Sequence, residues 1–355
     1  MVDALKILKV VGLGGLTLAN ACRPDIEGSS SLVSEPKVVA LRSIPAEAAP
    51  GQPVKYDALV VGSDEYEVDP TKLAWQTCSL RKPLTTPGAI NVSCLNDGSD
   101  GVVALGSGFD VETTIPNEAC DLFGPAPPKS DTGESALRAA DPDTTGGYYQ
   151  PVTLRQEFES EKYYSIGVTR LNCGIGAATQ DQVANYNKFY RLNENPDIES
   201  ILIDNGKDVD TLSSRESTPD IVAYVGKSIT FRVNWPKCPK TSNCGDGICS
   251  IKESVDDCVA DCSTRIGCLG AEEYLMYDTA SRSLVEMHEQ LRVSWYATAG
   301  SFEHDRTSKN VDSSSNASEN VWSAPLKKSI VRFWVVIRDN RRGVGWRSFD
   351  LKVQD

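Results

Sequence analysis

Three observations predict an all-β chain organised as two sandwiches in tandem. Short apolar–polar alternations recur from Lys37 to the C-terminus, bounded by Gly, Pro, Asn and Asp, while helical periodicity is weak. The two halves of the chain share an opening pattern of residues. Eleven cysteines, one more than can pair internally, point to an oxidising compartment and set one cysteine aside for other chemistry. At 355 residues there is room for two domains, each large enough for a core of its own. A net charge of −13 argues against nucleic acid as a partner, which would need a basic face. With only His288 and His304 present, little material exists for histidine-based metal or acid–base sites.

Residues 1–21 read as a signal peptide. Lys6 and Lys9 precede an apolar run over 10–19 that is too short for a bilayer core, which needs about 20 apolar residues. Ala19-Asn20-Ala21-Cys22 resembles a bacterial lipobox, although Asn20 and the absence of Leu at Ala19 depart from its usual form. The resemblance implies that Cys22 is acylated and becomes the first residue, which leaves ten cysteines to pair. Arg23, in place of the Asp that retains many lipoproteins at the inner membrane, implies the outer membrane or cell surface. Residues 22–35 are polar and Ser-rich, and are expected to form a flexible tether behind this lipid anchor.

The first domain is expected over 36–192. Residues 53–62 place Val54, Tyr56 and Ala58 on one face; 73–78 and 109–115 follow as strands. Residues 150–159 and 162–171 read as a hairpin joined near Ser160-Glu161. The polar stretch 124–147 reads as a mobile surface loop. Asn193-Glu194-Asn195-Pro196 looks like the joint to a second domain over 193–355. There, strands are expected at 198–203, 227–235, 291–296, 329–337 and 344–353, with Val331, Phe333, Val335 and Ile337 facing one way. Gly51 to Tyr56 is mirrored by Gly226 to Phe231, and Trp75 precedes Cys78 as Trp235 precedes Cys238. Several short strands with a buried Trp near a Cys suggest an immunoglobulin-like sandwich in each half.

Residues 238–268 form a cysteine-rich insertion in the second domain, holding Cys238, Cys244, Cys249, Cys258, Cys262 and Cys268. Apolar residues are too few for an independent core, so disulfides must hold it. Six cysteines allow 15 pairings. The outer two, Cys238 and Cys268, are expected to close the base. Cys78, Cys94, Cys120 and Cys173 are the remaining pairing candidates. Asp246, Glu253, Asp256, Asp257 and Asp261 crowd the insertion, opposed by Lys252. Such density of carboxylates suits Ca²⁺, an oxygen-seeking cation, and equally a solvated acidic loop. Zinc fits less well, because disulfides consume the thiolates and no His is near.

The pattern Cys244-Gly-Asp-Gly-Ile-Cys249 … Cys258-Val-Ala-Asp-Cys262 resembles short modules of myxobacterial cell-surface proteins, themselves distantly similar to calcium-binding Notch-type repeats. That likeness would map ligands onto Asp246, Asp257 and Asp261. Residues 291–302, the run Val321-Trp-Ser-Ala-Pro325, and 334–346 are similar to bacterial Ig-like and PKD-like surface domains. The resemblance covers 196–355 well and 36–195 loosely. It implies a fold and a location, and carries no activity.

No Gly-X-Ser-X-Gly elbow, His-Glu-X-X-His helix or Walker A run appears. Cys173, within Asn172-Cys173-Gly174, is expected to be oxidised rather than reactive, and His304 to lie in a solvated loop. Paired carboxylates for glycoside hydrolysis stay open, because their spacing is spatial. Asp204–Asp210 and Asn96–Gly101 are weaker calcium candidates, and such segments are more often plain turns. The expected function is a non-catalytic, surface-anchored lipoprotein serving as adhesion, scaffold or structural component. A polysaccharide- or ligand-binding module using Tyr148, Tyr149, Tyr163 and Tyr164 is the alternative, and a carboxylate-based hydrolase a third reading.

Overall fold

The computed structural model describes residues 30–63, 68–82, 90–125, 147–215, 217–238, 243–263, 267–308 and 315–355. The signal peptide, Cys22 and the span 126–146 of the expected mobile loop lie outside these. The first half holds β1 (Lys37–Ile44), β2 (Glu47–Ala48), β3 (Pro53–Val61), β4 (Leu73–Cys78), β5 (Val102–Ser107), β6 (Asp110–Thr114), α1 (Ala119–Phe123), β7 (Tyr148–Phe158), β8 (Glu161–Leu171) and α2 (Gln180–Phe189). Next come β9 (Ser200–Asp204), β10 (Val209–Leu212), β11 (Ala223–Tyr224), β12 (Ser228–Asn234), α3 (Val259–Cys262) and β13 (Glu273–Asp278). The chain ends with β14 (Ser283–His288), β15 (Arg292–Ala297), β16 (Ser301–Phe302), β17 (Arg306–Ser308), β18 (Ala317–Ser323), β19 (Ser329–Arg338) and β20 (Val344–Gln354). The molecule is predominantly β, as the alternation predicts.

Two pairs of sheets each enclose a core. In the first half, the sheet β1-β3-β6 faces the sheet β2-β8-β7-β4-β5. Val54 and Tyr56 from one layer meet Trp75, Val152 and Leu154 from the other. In the second half, β10-β9-β12-β18-β16 faces β11-β20-β19-β15-β17. Phe231 sits at the centre of that core, its ring 5.2 Å from Phe333, 5.7 Å from Phe349 and 6.3 Å from Trp295. The two halves repeat one arrangement: a two-residue strand lies parallel to the last long strand, β2 along β8 and β11 along β20. Gly51 and Gly226, which open the shared pattern, both have positive φ (77° and 65°), the conformation that favours glycine at the turn into the next strand.

The sequence pairs Trp75 with Trp235, but the structure pairs it with Trp295. Trp75 on β4 and Trp295 on β15 occupy the same place in their sheets and are both fully buried. Trp235 lies one residue past β12, at the edge of the core. Neither Trp packs beside a bridge between its two sheets: Cys78–Cys94 ties β4 to the following turn, and Cys238–Cys268 closes the base of the insertion, as expected. Cys120–Cys173, Cys244–Cys258 and Cys249–Cys262 complete five disulfides, so all ten candidates are paired.

The two halves are joined by a third layer of contact. The outer face of β1 and β3 covers the outer face of β15, β19 and β20. Ala40 packs with Val336 and Val344, and Val61 with Trp334. The guanidinium of Arg42 lies 4.0 Å from the ring centre of Trp346. The central sheet is thus buried on both faces, and the unbroken apolar run from Phe333 to Ile337 reflects that. Residues 30–35 depart from the tether expected over 22–35. Val33 is fully buried against Val61 and Trp334 and exchanges backbone hydrogen bonds with β15, Val33 N donating to Ala297 O and Ala297 N to Ser31 O. An apolar Val preceding a strand supplies enough burial to pin the segment, which its Ser content concealed.

Candidate functional site

A cleft of about 610 Å³ opens where the two halves meet. One wall is the edge strand β1 with the middle of β8; the other is the start of β15 and the β19–β20 turn. Arg292, Arg338 and Arg342 line it, interspersed with Gln290, Ser308 and Asn340. Arg292 on β15 lies directly opposite Arg338 on β19. Arg306 sits on the neighbouring strand β17, opposite Ser294. Arg338 reaches across the cleft to donate to the carbonyl oxygen of Val39 at 2.5 Å. Burial pushes its pKa down; Tyr296 opposes that, while Arg306 and Arg292 add to it. Arg342 adopts positive φ (85°) and places its guanidinium 5.9 Å from the ring centre of Tyr149.

Beneath the cleft is a buried ionic network that fixes its two walls. Arg341, 1% exposed, donates to Glu272 Oε1 (2.6 Å), Glu289 Oε1 (3.3 Å), Glu47 Oε2 (3.5 Å) and the Arg191 carbonyl oxygen (2.7 Å). Arg170 donates to Glu47 Oε2 at 3.2 Å, and Tyr190 OH donates to the same carboxylate at 2.7 Å. Asn193 N also donates to Glu47 (3.0 Å), and Asn195 Oδ1 accepts from Val344 N (2.9 Å). The network therefore joins β2 and β8, the linker after α2, the β13–β14 hairpin and the β19–β20 turn. Burying these charges is sustained only because each meets an opposite charge or a donor.

Four buried carboxyls (Glu47, Glu272, Glu289, Asp339) surround two buried guanidiniums (Arg170, Arg341), so acid is in excess where burial disfavours charge. Burial raises Glu272 to about 7, with Arg341 opposing the rise. Burial also lifts Glu289 well above the usual carboxylate range, helped by Asp339 and Glu272 nearby. Asp339 is raised by burial, while its oxygens accept from Gly343 N (2.8 Å) and Asn193 Nδ2 (3.4 Å). Burial works against the Arg341 charge, but Tyr190, Glu272 and Glu289 outweigh it and keep the guanidinium protonated.

A third buried arginine docks the cysteine-rich insertion. Arg191 donates to the carbonyl oxygens of Cys249 (2.9 Å), Ser250 (2.7 Å) and Glu253. The insertion's acidic residues serve its own turns. Asp261 accepts from Gly245 N (2.5 Å) and Gly247 N (3.1 Å), and Glu253 from Ser250 N (3.0 Å). Asp257 accepts from Ser254 Oγ (2.6 Å) and Asp246 from Ile248 N (2.9 Å), while Asp256 pairs with Lys188 at 3.1 Å. The five carboxylates are not brought to one point. Among the described residues, the one close group of metal-ligating side chains is Cys244, Cys258 and Asp261, whose two sulfurs are bonded to each other. The turn at 204–210 is closed by its own side chains: Asp204 accepts from Gly206 N, and Asn205 from Lys207 N and Asp208 N. Asp97 is engaged by Gln76 and Arg155.

Of the four tyrosines singled out, Tyr149 lines the cleft and accepts from Arg170 at 3.0 Å. Tyr148 packs against the first core, and Tyr163 and Tyr164 lie along β8, so the four form no common platform. Cys173 is oxidised, and His304 is exposed. Arg342 escaped the sequence reading because Asp339 to Gly343 reads as an ordinary polar hairpin turn, and Arg292 and Arg338 because each sits at the polar end of a strand.

The chain matches no described protein family and no curated protein. Among solved structures it is similar to a DUF4785 family protein from Legionella pneumophila (9% identity, TM-score 0.18), with 88% of this chain and 56% of that one covered. It spans little more than half of that protein. A chimeric titin Z1Z2 shows 9% identity and a TM-score of 0.17 over 91% of this chain and 98% of that one. The C-terminal domain of the Streptococcus pyogenes antigen I/II-family protein AspA shows 8% identity and a TM-score of 0.21 over 91% and 100%. These neighbours are β-rich, and likenesses of this size carry no argument about function.

Proposed function

We propose that this chain is an exported, lipid-anchored surface protein of two immunoglobulin-like domains, serving as a rigid scaffold or adhesion component of a bacterial envelope. The observation that carries this reading is the joint. The two sheet pairs share a buried ionic network, an apolar layer and a pinned N-terminal segment, so they move as one stiff unit and hold distal surfaces at a fixed reach. Five disulfides suit an oxidising exterior. The repeated strand order, with a two-residue parallel strand beside the last strand of each half and a buried Trp on β4 and β15, supports the immunoglobulin-like assignment. Cys22 would anchor the chain in the outer membrane or at the cell surface.

The test is metabolic labelling with a palmitate analogue in a Gram-negative host, followed by protease treatment of intact cells. The wild type should take up label in the membrane fraction and the Cys22→Ser variant should not, with the folded body accessible from outside. An unlabelled, soluble wild-type chain would remove the anchor from this account.

A further inference from the structure

The arginines of the cleft stand out in an acidic protein. Arg292 and Arg342 in the cleft, and Arg306 beside it in a neighbouring hollow shared with Glu319, form no ion pair among the described residues, whereas Arg42, Arg155, Arg170, Arg232, Arg332 and Arg341 all do. Arg292 and Arg338 are held directly opposite one another, and like charges so placed destabilise an antiparallel pair. The one carboxylate in the lining, Asp339, already accepts from Gly343 N and Asn193. Positive charge is thus concentrated in a concave site whose volume is that of a ligand pocket. A guanidinium is the side chain best matched to a carboxylate or sulfate, through its planar pair of donors.

We propose that this cleft binds an acidic polysaccharide, with Arg292, Arg342 and the adjoining Arg306 holding successive carboxylate or sulfate groups. The arginines do not converge on one point. They are spread over β15, β17 and the β19–β20 turn, which fits charges repeated along a polymer better than one compact anion. Gln290, Ser308 and Asn340 between them supply amide and hydroxyl partners for a hydroxyl-bearing chain. The inference deepens the surface-scaffold reading by naming a partner chemistry. Its test runs in solution and stands or falls independently of whether Cys22 carries a lipid.

The experiment is calorimetric titration of the full mature chain, carrying Cys22→Ser so that it stays soluble. The probes are oligogalacturonate, dextran sulfate, neutral dextran, poly-Glu and inorganic phosphate. At least one acidic glycan should bind and neutral dextran should not, with affinity falling as salt is raised. Arg292→Ala and Arg342→Ala should each weaken binding about tenfold, the loss expected for one charge-assisted contact. Arg292→Lys should lose less, and Lys327→Ala, on an exposed loop elsewhere, should lose nothing. Both arginines are exposed, so folding is not at stake. Failure of both acidic glycans to bind, or binding indifferent to Arg292 and Arg342, would overturn the proposal. Tighter binding of poly-Glu would assign the cleft to an acidic protein instead, and binding of phosphate alone would reduce it to a small-anion site; either result overturns the polysaccharide.

Discussion

Arg341→Met removes the keystone of the joint without emptying it, since Met fills much the same volume. The guanidinium contacts Glu272, Glu289 and Glu47 and lies 4.7 Å from the ring centre of Tyr274. Removing one partner of a buried pair costs about 3–5 kcal/mol, because the other charge stays buried. At pH 8 Glu272 and Glu289 must either remain ionised without their cation or take up protons. Protonating a carboxyl of ordinary pKa near 4.5 at pH 8 costs about 5 kcal/mol, and at pH 5.5 about 1.4 kcal/mol, at 1.36 kcal/mol per unit. The variant should therefore lose about 3–5 kcal/mol at pH 8 and distinctly less at pH 5.5. Urea unfolding of the oxidised protein, followed by tryptophan fluorescence, reads both values. The compensated variant Arg341→Met/Glu272→Gln/Glu289→Gln should recover most of the loss. A loss under about 1 kcal/mol at pH 8, or an equal loss at both pH values, would refute the electrostatic account of the joint.

The wild type should itself be more stable near pH 5 than near pH 8. With its folded pKa raised to about 7, Glu272 contributes stability that is fully present below pH 4.5 and lost as pH rises through 7, a span of about 3 kcal/mol at most; a steady gain in melting temperature up to pH 8 would contradict it. Replacing Cys120 and Cys173 by Ser, which opens a loop of sequence separation 53, should cost about 4 kcal/mol in the chain-entropy model. The Cys244–Cys258 pair, at separation 14, should cost about 3 kcal/mol, confined to the insertion, as protection from proteolysis there would show. Because the acidic residues of the insertion already accept from turn amides, from Ser254 and from Lys188, chelation should leave the melting curve unchanged; a fall of several degrees, abolished by Asp257→Ala/Asp261→Ala, would restore the calcium expectation.

Strands were legible because alternation reports which face meets a core. The expected strands at 73–78, 329–337 and 344–353 coincide closely with β4, β19 and β20. α2 was missed although Thr179 and Gln182 form a capping box, because the helix is only ten residues long and weakly apolar. The β13–β14 hairpin was also missed, since its alternation is mixed with charge. The joint was illegible for a deeper reason. Arg170, Glu272, Glu289 and Arg341 sit at positions that read as solvated turns or strand ends, Glu47 is a lone charge in the small-residue run 45–50, and a single sequence does not say which charges meet. The same holds for Trp334 and Val336. Their positions along β19 would face solvent in an isolated sandwich, and only the covering by β1 and β3 explains their burial.

Hydrogen exchange along residues 190–196 tests the rigid joint most directly. The Asn193 amide is buried and bonded to Glu47, and the Val344 amide opposite is bonded to Asn195. If the halves form one stiff unit, the Asn193 and Val344 amides should be protected nearly as strongly as the central amides of β19, since opening them requires breaking the whole network. Exchange within seconds, while β19 stays protected, would show a flexible linker between independent domains and would contradict the account.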